Sequence, residues 1–132
     1  MRYVFKGFFP GMINVSFIKE DSGSLRLKIF GHATYKENGQ LIVCAAISAI
    51  FYSLLGYLKN AYGDKLTIHT LESGNADIEC MDCDPEIFRM ACIGILQISE
   101  RYPNQICVQN GIWKSFMCKR NGKTKRFDQK TK

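Results

Sequence analysis

Residues 41–58 read LIVCAAISAIFYSLLGYL, a run of eighteen residues without a charged side chain. Their periodicity predicts a helix over about 42–61, with one apolar face formed by Ile42, Val43, Ala46, Ile50, Leu54 and Leu58. Further apolar residues widen this face, so the helix is expected to be buried, or to face a partner subunit as well as its own core. The run reaches the lower length limit of a membrane span. Its serines, tyrosines and glycine lower its hydrophobicity, and we expect a core helix and no membrane partner.

The segments on either side of this helix predict a sheet. Alternating apolar residues indicate strands over 12–19, 25–31, 65–72, 76–81 and 105–109. A second helix begins at Asp84-Pro85-Glu86, where an aspartate N-cap precedes a proline at the first helical position, and it ends at Tyr102-Pro103. The element order is therefore ββαββαβ. We predict an α+β fold in which two helices pack on an antiparallel or mixed sheet.

Charge divides the chain into unequal parts. Residues 1–110 hold ten Lys/Arg and eleven Asp/Glu, a net charge of −1, whereas residues 111–132 hold eight Lys/Arg and one Asp, a net charge of +7. We predict an N-terminal extension over 1–11, a single domain over 12–110 and a basic, disordered tail over 111–132. The tail's cations and interleaved aromatic residues are typical of a nucleic-acid contact, but a solvated tail has the same composition.

The chain has six cysteines and no recognisable secretory signal, so we expect free thiols in a reducing cytoplasm. Cys80 and Cys83 form a CxxC pair. A zinc site would need two further ligands, and His69 is the only other nearby residue of the usual kind. A redox pair next to a helix start is the other functional reading. The preferred interpretation is that both cysteines only pack in the fold, and we expect neither a metal nor a cofactor.

A histidine and a cysteine lie twelve positions apart, at the end of the second predicted strand and near the start of the first helix. The positive end of a helix dipole favours a thiolate, the nucleophilic form of cysteine. A histidine within reach acts as its base. His32 and Cys44 are therefore candidate catalytic residues. A buried core thiol and a strand-end histidine satisfied by the backbone are the structural alternatives.

The residues around this pair resemble the ribosomal-processing cysteine protease family, Prp. The matching positions are Gly31-His32-Ala33, Tyr35, Gly39, Ile42-Val43-Cys44-Ala45-Ala46 and Ser48. The element order is also similar across about residues 12–109, whereas the first eleven residues and the basic tail lie outside the resemblance.

The resemblance implies a cysteine endopeptidase, a hydrolase with a Cys-His dyad. Cys44 would be the nucleophile and His32 its base, with Gly31 and Ala33 as supporting residues. Ser48 would bond the thiolate or the substrate, unless its hydroxyl bonds back to the helix. Family members are bacterial, cytoplasmic and homodimeric. They act in ribosome biogenesis by removing an N-terminal extension from large-subunit ribosomal protein number twenty-seven, which is therefore the expected substrate.

One position departs from the family's pattern. Leu41 stands where family members usually carry an aspartate, and leucine can neither cap the helix nor orient the histidine. Gln40 or Asn38 is a candidate substitute cap. We expect the loop over 33–41, including Tyr35, Gly39 and Leu41, to gate the site. The alternative function is a catalytically impaired, ribosome-associated or RNA-binding module that contacts ribosomal RNA through the basic tail.

Overall fold

A computed structural model describes residues 11–31 and 40–109, without the side chains of Gln40 and Leu41. Five strands and two helices occur in the predicted order. The strands are β1 (Ile13–Lys19), β2 (Leu25–Phe30), β3 (Leu66–Glu72), β4 (Asn75–Cys80) and β5 (Ile106–Gln109). The helices are α1 (Gln40–Tyr62) and α2 (Pro85–Arg101), with a 3-10 turn (Gly63–Lys65) after α1. The predicted α+β class is confirmed. The predicted extension and tail fall almost entirely outside the described residues.

The strands form one mixed sheet in the order β3-β4-β2-β1-β5. Three neighbouring pairs are antiparallel, and β5 alone runs parallel to β1. The β1–β2 hairpin turns through Gly23, whose N–H donates to the carbonyl of Glu20 at 2.8 Å. Helix α2 begins as its sequence predicts, because the Asp84 side chain accepts a hydrogen bond from the N–H of Glu86 at 3.0 Å.

The core lies between one face of the sheet and the two helices. Helix α1 supplies six buried side chains: Val43, Ile47, Phe51, Leu54, Leu55 and Leu58. They meet the inward-facing residues of the strands, such as Val15, Leu27 and Ile78. Helix α1 is long and apolar enough to cross a membrane by length and composition, a test that the core helix of a soluble protein also passes.

The opposite face of the sheet carries a network of charged side chains. Arg26 forms a bidentate salt bridge with Asp77, in which Nε donates to Oδ1 and Nη2 donates to Oδ2, both at 2.8 Å. This hydrogen bond raises the pKa of Arg26 despite its partial burial. Glu79 accepts a hydrogen bond from Ser24 at 2.5 Å, and its other oxygen lies 2.8 Å from Nε2 of His69. Ion pairs and hydrogen bonds between side chains therefore connect β2, β3 and β4 on this face.

Candidate active site

Cys44 is the fifth residue of α1 and is half-buried at the edge of the core. The helix begins at Gln40, two residues earlier than predicted, because glutamine and leucine are themselves good helix formers. The prediction that Cys44 occupies the first turn is therefore wrong, because the fifth residue of α1 begins the second turn. The dipole effect falls off within the first turn, so the helix end alone is a weaker argument for the chemistry of Cys44 than predicted.

The contacts at the far end of α1 show which end of the sheet Cys44 occupies. The hydroxyl of Tyr62 accepts a hydrogen bond from the N–H of Asp84 at 3.0 Å, just beyond the end of β4. Cys80, the last residue of β4, pairs with Leu25, the first residue of β2. The C-terminal end of α1 therefore lies at the end of the sheet where β2 begins.

The length of α1 then locates its N-terminal end relative to the sheet. Cys44 precedes Tyr62 by 18 positions, a rise of about 27 Å along a helix. Strand β2 with the next residue, from Leu25 to Gly31, spans about 20 Å. The C-terminal end of α1 lies where β2 begins, so the start of α1, with Cys44, lies towards the other end of the sheet, where the chain leaves β2 at Gly31.

Gly31 forms a tightly constrained corner at this end. Its φ of +97° is in the region that favours glycine, and its N–H donates to the carbonyl of Gly74 at 2.9 Å. A Cβ on Gly31 would stand 2.6 Å from the carbonyl oxygen of Met12, closer than real side chains come. Only glycine fits the backbone at this position, whereas the supporting role predicted for Gly31 in the site stays a prediction.

Several predicted site residues lie outside the described part of the chain. These are His32, Ala33, Tyr35 and Gly39, together with the side chain of Leu41. The Cys-His pairing and the gating role of the 33–41 loop therefore stay predictions. Ser48 is described and exposed, and it follows Cys44 by one helical turn, so both lie on the same side of α1.

The CxxC pair occupies the other end of the sheet. The thiol of Cys80 donates to the carbonyl of Met81 at 3.9 Å. Burial raises the pKa of both Cys80 and Cys83, that of Cys83 to about 12. His69, the candidate third zinc ligand, instead contacts Glu79 on the opposite face of the sheet. No cluster of three or more metal-binding side chains occurs within residues 11–31 and 40–109. Protonated thiols with these partners are suited to packing.

Sequence reasoning missed one residue beside the corner. Asn14 alternates with apolar neighbours in β1, which marks it as a solvent-facing position, yet it is only 1% exposed. Its Nδ2 donates to the carbonyl of Met12 at 3.1 Å. The only signal in the sequence is an asparagine inside a strand, where that residue type is depleted.

Known structures share this fold. The ribosomal processing protease Prp from S. aureus, crystallised with a substrate peptide, superposes with a TM-score of 0.63 at 23% identity, covering 75% of this chain and 99% of that one. The same protease with a covalently linked product peptide gives 0.63 at 24% identity, with the same coverage. SMU.848 from Streptococcus mutans gives 0.58 at 25% identity, covering 76% of this chain and 94% of that one.

No curated protein matches the chain. A family model, however, matches residues 12–107, which span both Gly31-His32 and the segment around Cys44. This range is most of the chain; it contains both helices and strands β1 to β4 and reaches the first two residues of β5. The chain belongs to the family of the cysteine protease Prp.

Proposed function

We propose that this protein is a cysteine endopeptidase in which Cys44 is the nucleophile and His32 its base. The observation that carries the proposal is the placement of Cys44 at the end of the sheet where Gly31 leads into His32. The family match supports it, since the matched range contains both residues. A base is needed here because Cys44, the fifth residue of α1, lies just outside the first turn, where the helix dipole acts most strongly.

The reaction proceeds through an acyl-enzyme. His32 accepts the thiol proton as the sulfur of Cys44 attacks the scissile carbonyl. The tetrahedral intermediate collapses, the C–N bond breaks, and His32 returns the proton to the leaving amine. Water then attacks the thioester, with His32 as base, and releases the acid product. The first four N–H groups of α1 have no partner within the helix, so they are the candidate donors to the oxyanion.

The proposed substrate is a large-subunit ribosomal protein, number twenty-seven, that carries an N-terminal extension. The S. aureus protease with this fold was crystallised with a substrate peptide and with a covalently linked product peptide. A covalent product complex is what an acyl-transfer mechanism with a cysteine nucleophile forms. Ser48, exposed one turn after Cys44, is placed to hydrogen-bond such a peptide. The proposed location is the cytoplasm, where ribosomal proteins are processed.

The decisive experiment is cleavage of the extended ribosomal protein by single-residue variants. Cys44→Ala and His32→Ala should each abolish cleavage, because one removes the nucleophile and the other its base. Cys107→Ala is the matched control, since Cys107 is also a half-buried free thiol but lies in β5. Circular dichroism should show that all three variants fold. Cleavage at the wild-type rate by Cys44→Ala would overturn the proposal.

The alternative, a ribosome-associated module without activity, rests on Leu41 in place of the family's usual aspartate and on the basic tail. It predicts that the wild-type protein binds ribosomal RNA but leaves the extended substrate intact. Cleavage that depends on Cys44 excludes this alternative, whatever the tail binds.

We also propose that the protein is a homodimer through the outer side of α1. Ile42 and Tyr52 are 61% and 55% exposed there, and between them lie the exposed small residues Ala45 and Ala49. Small residues let a second helix approach closely, and the apolar neighbours gain from being covered.

The dimer is tested by light scattering coupled to gel filtration. Ala49→Arg should convert the dimer to a monomer, because it places a charge in the centre of this surface. Thr67→Arg is the control, since Thr67 is exposed on the opposite face of the sheet. A wild-type mass equal to one chain, or no effect of Ala49→Arg on a dimer, would contradict the proposal.

A further inference from the structure

The side chain of Asn14 is part of the corner from which the chain leaves the sheet towards His32. Its carboxamide donates to the carbonyl of Met12 at 3.1 Å. The oxygen of that carbonyl is the atom nearest to a Cβ built on Gly31, at 2.6 Å, and Nδ2 of Asn14 is the next, at 3.6 Å. Asn14, Met12 and Gly31 therefore form one contact group.

The other contacts of this group fix it in place. Asn14 pairs with Phe30 on one side and with Cys107 on the other, so its backbone belongs to the centre of the sheet. The N–H of Gly31 donates to Gly74 in the β3–β4 turn at 2.9 Å. Gly31 is thus hydrogen-bonded to the β3–β4 turn through Gly74 and lies against the Met12 carbonyl, just before β1.

Burial makes Asn14 an unusual choice for this position. The residue is 1% exposed, and burying an amide is unfavourable unless hydrogen bonds compensate for the water it loses. Asparagine is also depleted in strands, where a β-branched residue would pack better. The bond to the Met12 carbonyl gives this buried amide a partner at the corner.

We infer that Asn14 is a positioning residue for the catalytic histidine, which rests on the function proposed above. By bonding the Met12 carbonyl, its amide holds that oxygen against the Cα of Gly31 and so sets the direction in which the backbone continues. The Cα of His32 is one peptide unit away, about 3.8 Å from that of Gly31. A shift of the corner therefore moves the imidazole relative to Cys44.

Two near-isosteric substitutions test this role. Asn14→Leu keeps the approximate shape and removes the donor. Asn14→Asp also removes the donor while the carboxyl is ionised, but a protonated carboxyl regains an O–H that can donate to Met12. Burial favours protonation of a carboxyl within an accessible pH range.

The expected results separate positioning from stability. Rates are expressed per reactive Cys44, counted by titration with an alkylating agent. Asn14→Leu should lower kcat by about 10- to 100-fold with little change in KM, because misplacing a catalytic group by about 1 Å can lower the rate about 100-fold. The ratio of kcat for Asn14→Asp to kcat for Asn14→Leu should rise as pH falls from 8 to 5. The pH profile of Cys44 alkylation in Asn14→Leu should move to higher pH, towards that of a thiol without a histidine partner.

The outcomes also separate this inference from the proposed function. If Cys44→Ala and His32→Ala are inactive while Asn14→Leu keeps the wild-type kcat and alkylation profile, the positioning role is overturned and the protease remains. If Asn14→Leu fails to fold, Asn14→Asp decides the question through its own Cys44 alkylation profile and through the ratio of its kcat to that of the wild type. This ratio should rise as pH falls from 8 to 5, and a constant ratio would overturn the positioning role. If His32→Ala is fully active, the function and the inference fall together.

Discussion

Replacing Gly31 with alanine should destabilise the protein and impair cleavage, and the chain contains a matched control. Gly23 has a φ of +96°, within one degree of the +97° at Gly31. Nothing lies within 4 Å of a Cβ on Gly23, whereas a Cβ on Gly31 would meet the Met12 carbonyl oxygen at 2.6 Å. The two substitutions therefore share the backbone strain and differ in the steric clash.

The expected magnitudes follow from this difference. Holding alanine at a positive φ costs about 1–3 kcal/mol, which applies to both variants. At Gly31 the contact must also lengthen by at least 0.4 Å to reach 3.0 Å, the lower limit for real Cβ contacts. Forcing such a shift within paired strands costs a further 1–3 kcal/mol, roughly. For a domain of this size, an extra 2 kcal/mol lowers the melting temperature by roughly 8–16 °C.

Urea unfolding followed by far-ultraviolet circular dichroism measures both variants against the wild type. Gly31→Ala should have the larger loss in free energy of unfolding and, at temperatures where it is folded, a lower kcat. Gly23→Ala should cleave like the wild type, since the β1–β2 turn lies at the opposite end of the sheet from Cys44. Equal losses of stability in the two variants would refute the assignment of a clash at the Met12 carbonyl.

Two further predictions follow from the ionisable groups. Burial alone would raise the pKa of Glu79, but hydrogen bonds from Ser24 and His69 and nearby positive charge lower it overall. Its ionised form therefore stabilises the fold above the unfolded-state pKa of about 4.3, and this stabilisation is lost as pH falls through the lower folded-state value. Glu79→Gln should show a smaller loss of urea midpoint than the wild type between pH 6 and pH 3, and an identical loss would contradict this. Because burial raises the pKa of Cys83 to about 12, iodoacetamide at pH 7.5 should modify it more slowly than Cys44 in the folded protein, as mass spectrometry of peptides can measure; equal rates would show that Cys83 is not protected.

Local signals in the sequence were sufficient to predict the strands and helices. These signals involve residues that are close in sequence. They are the aspartate cap and proline at the start of α2, the turn before β2 and the alternation in each strand. The parallel placement of β5 beside β1 depends on packing between distant segments, so no local pattern predicts it. The bulge at His69 was missed for a related reason, since the contact of His69 with Glu79 exists only once β3 and β4 pair.

The candidate site was predictable to the same extent. Cys44, His32 and Gly31 were proposed from a motif within one short stretch of the chain, and the role of His32 stays a prediction; the start of α1 was placed two residues late. Asn14 could not be found in this way. Its partner Met12 is close in sequence, but the reason for the contact is Gly31, which arrives from the neighbouring strand.

The direction of β5 has a practical consequence for engineering the protein. This strand starts beside Ile13, at the end of the sheet that holds Cys44, and runs parallel to β1 until Gln109 stands level with Ser16. At Gln109, about 10 Å from the level of Ile13, the backbone is therefore directed away from the end of the sheet that holds Cys44. A fluorescent reporter or affinity handle joined at Gln109 would start in that direction, whereas one inserted between β2 and α1 would interrupt the segment that contains His32.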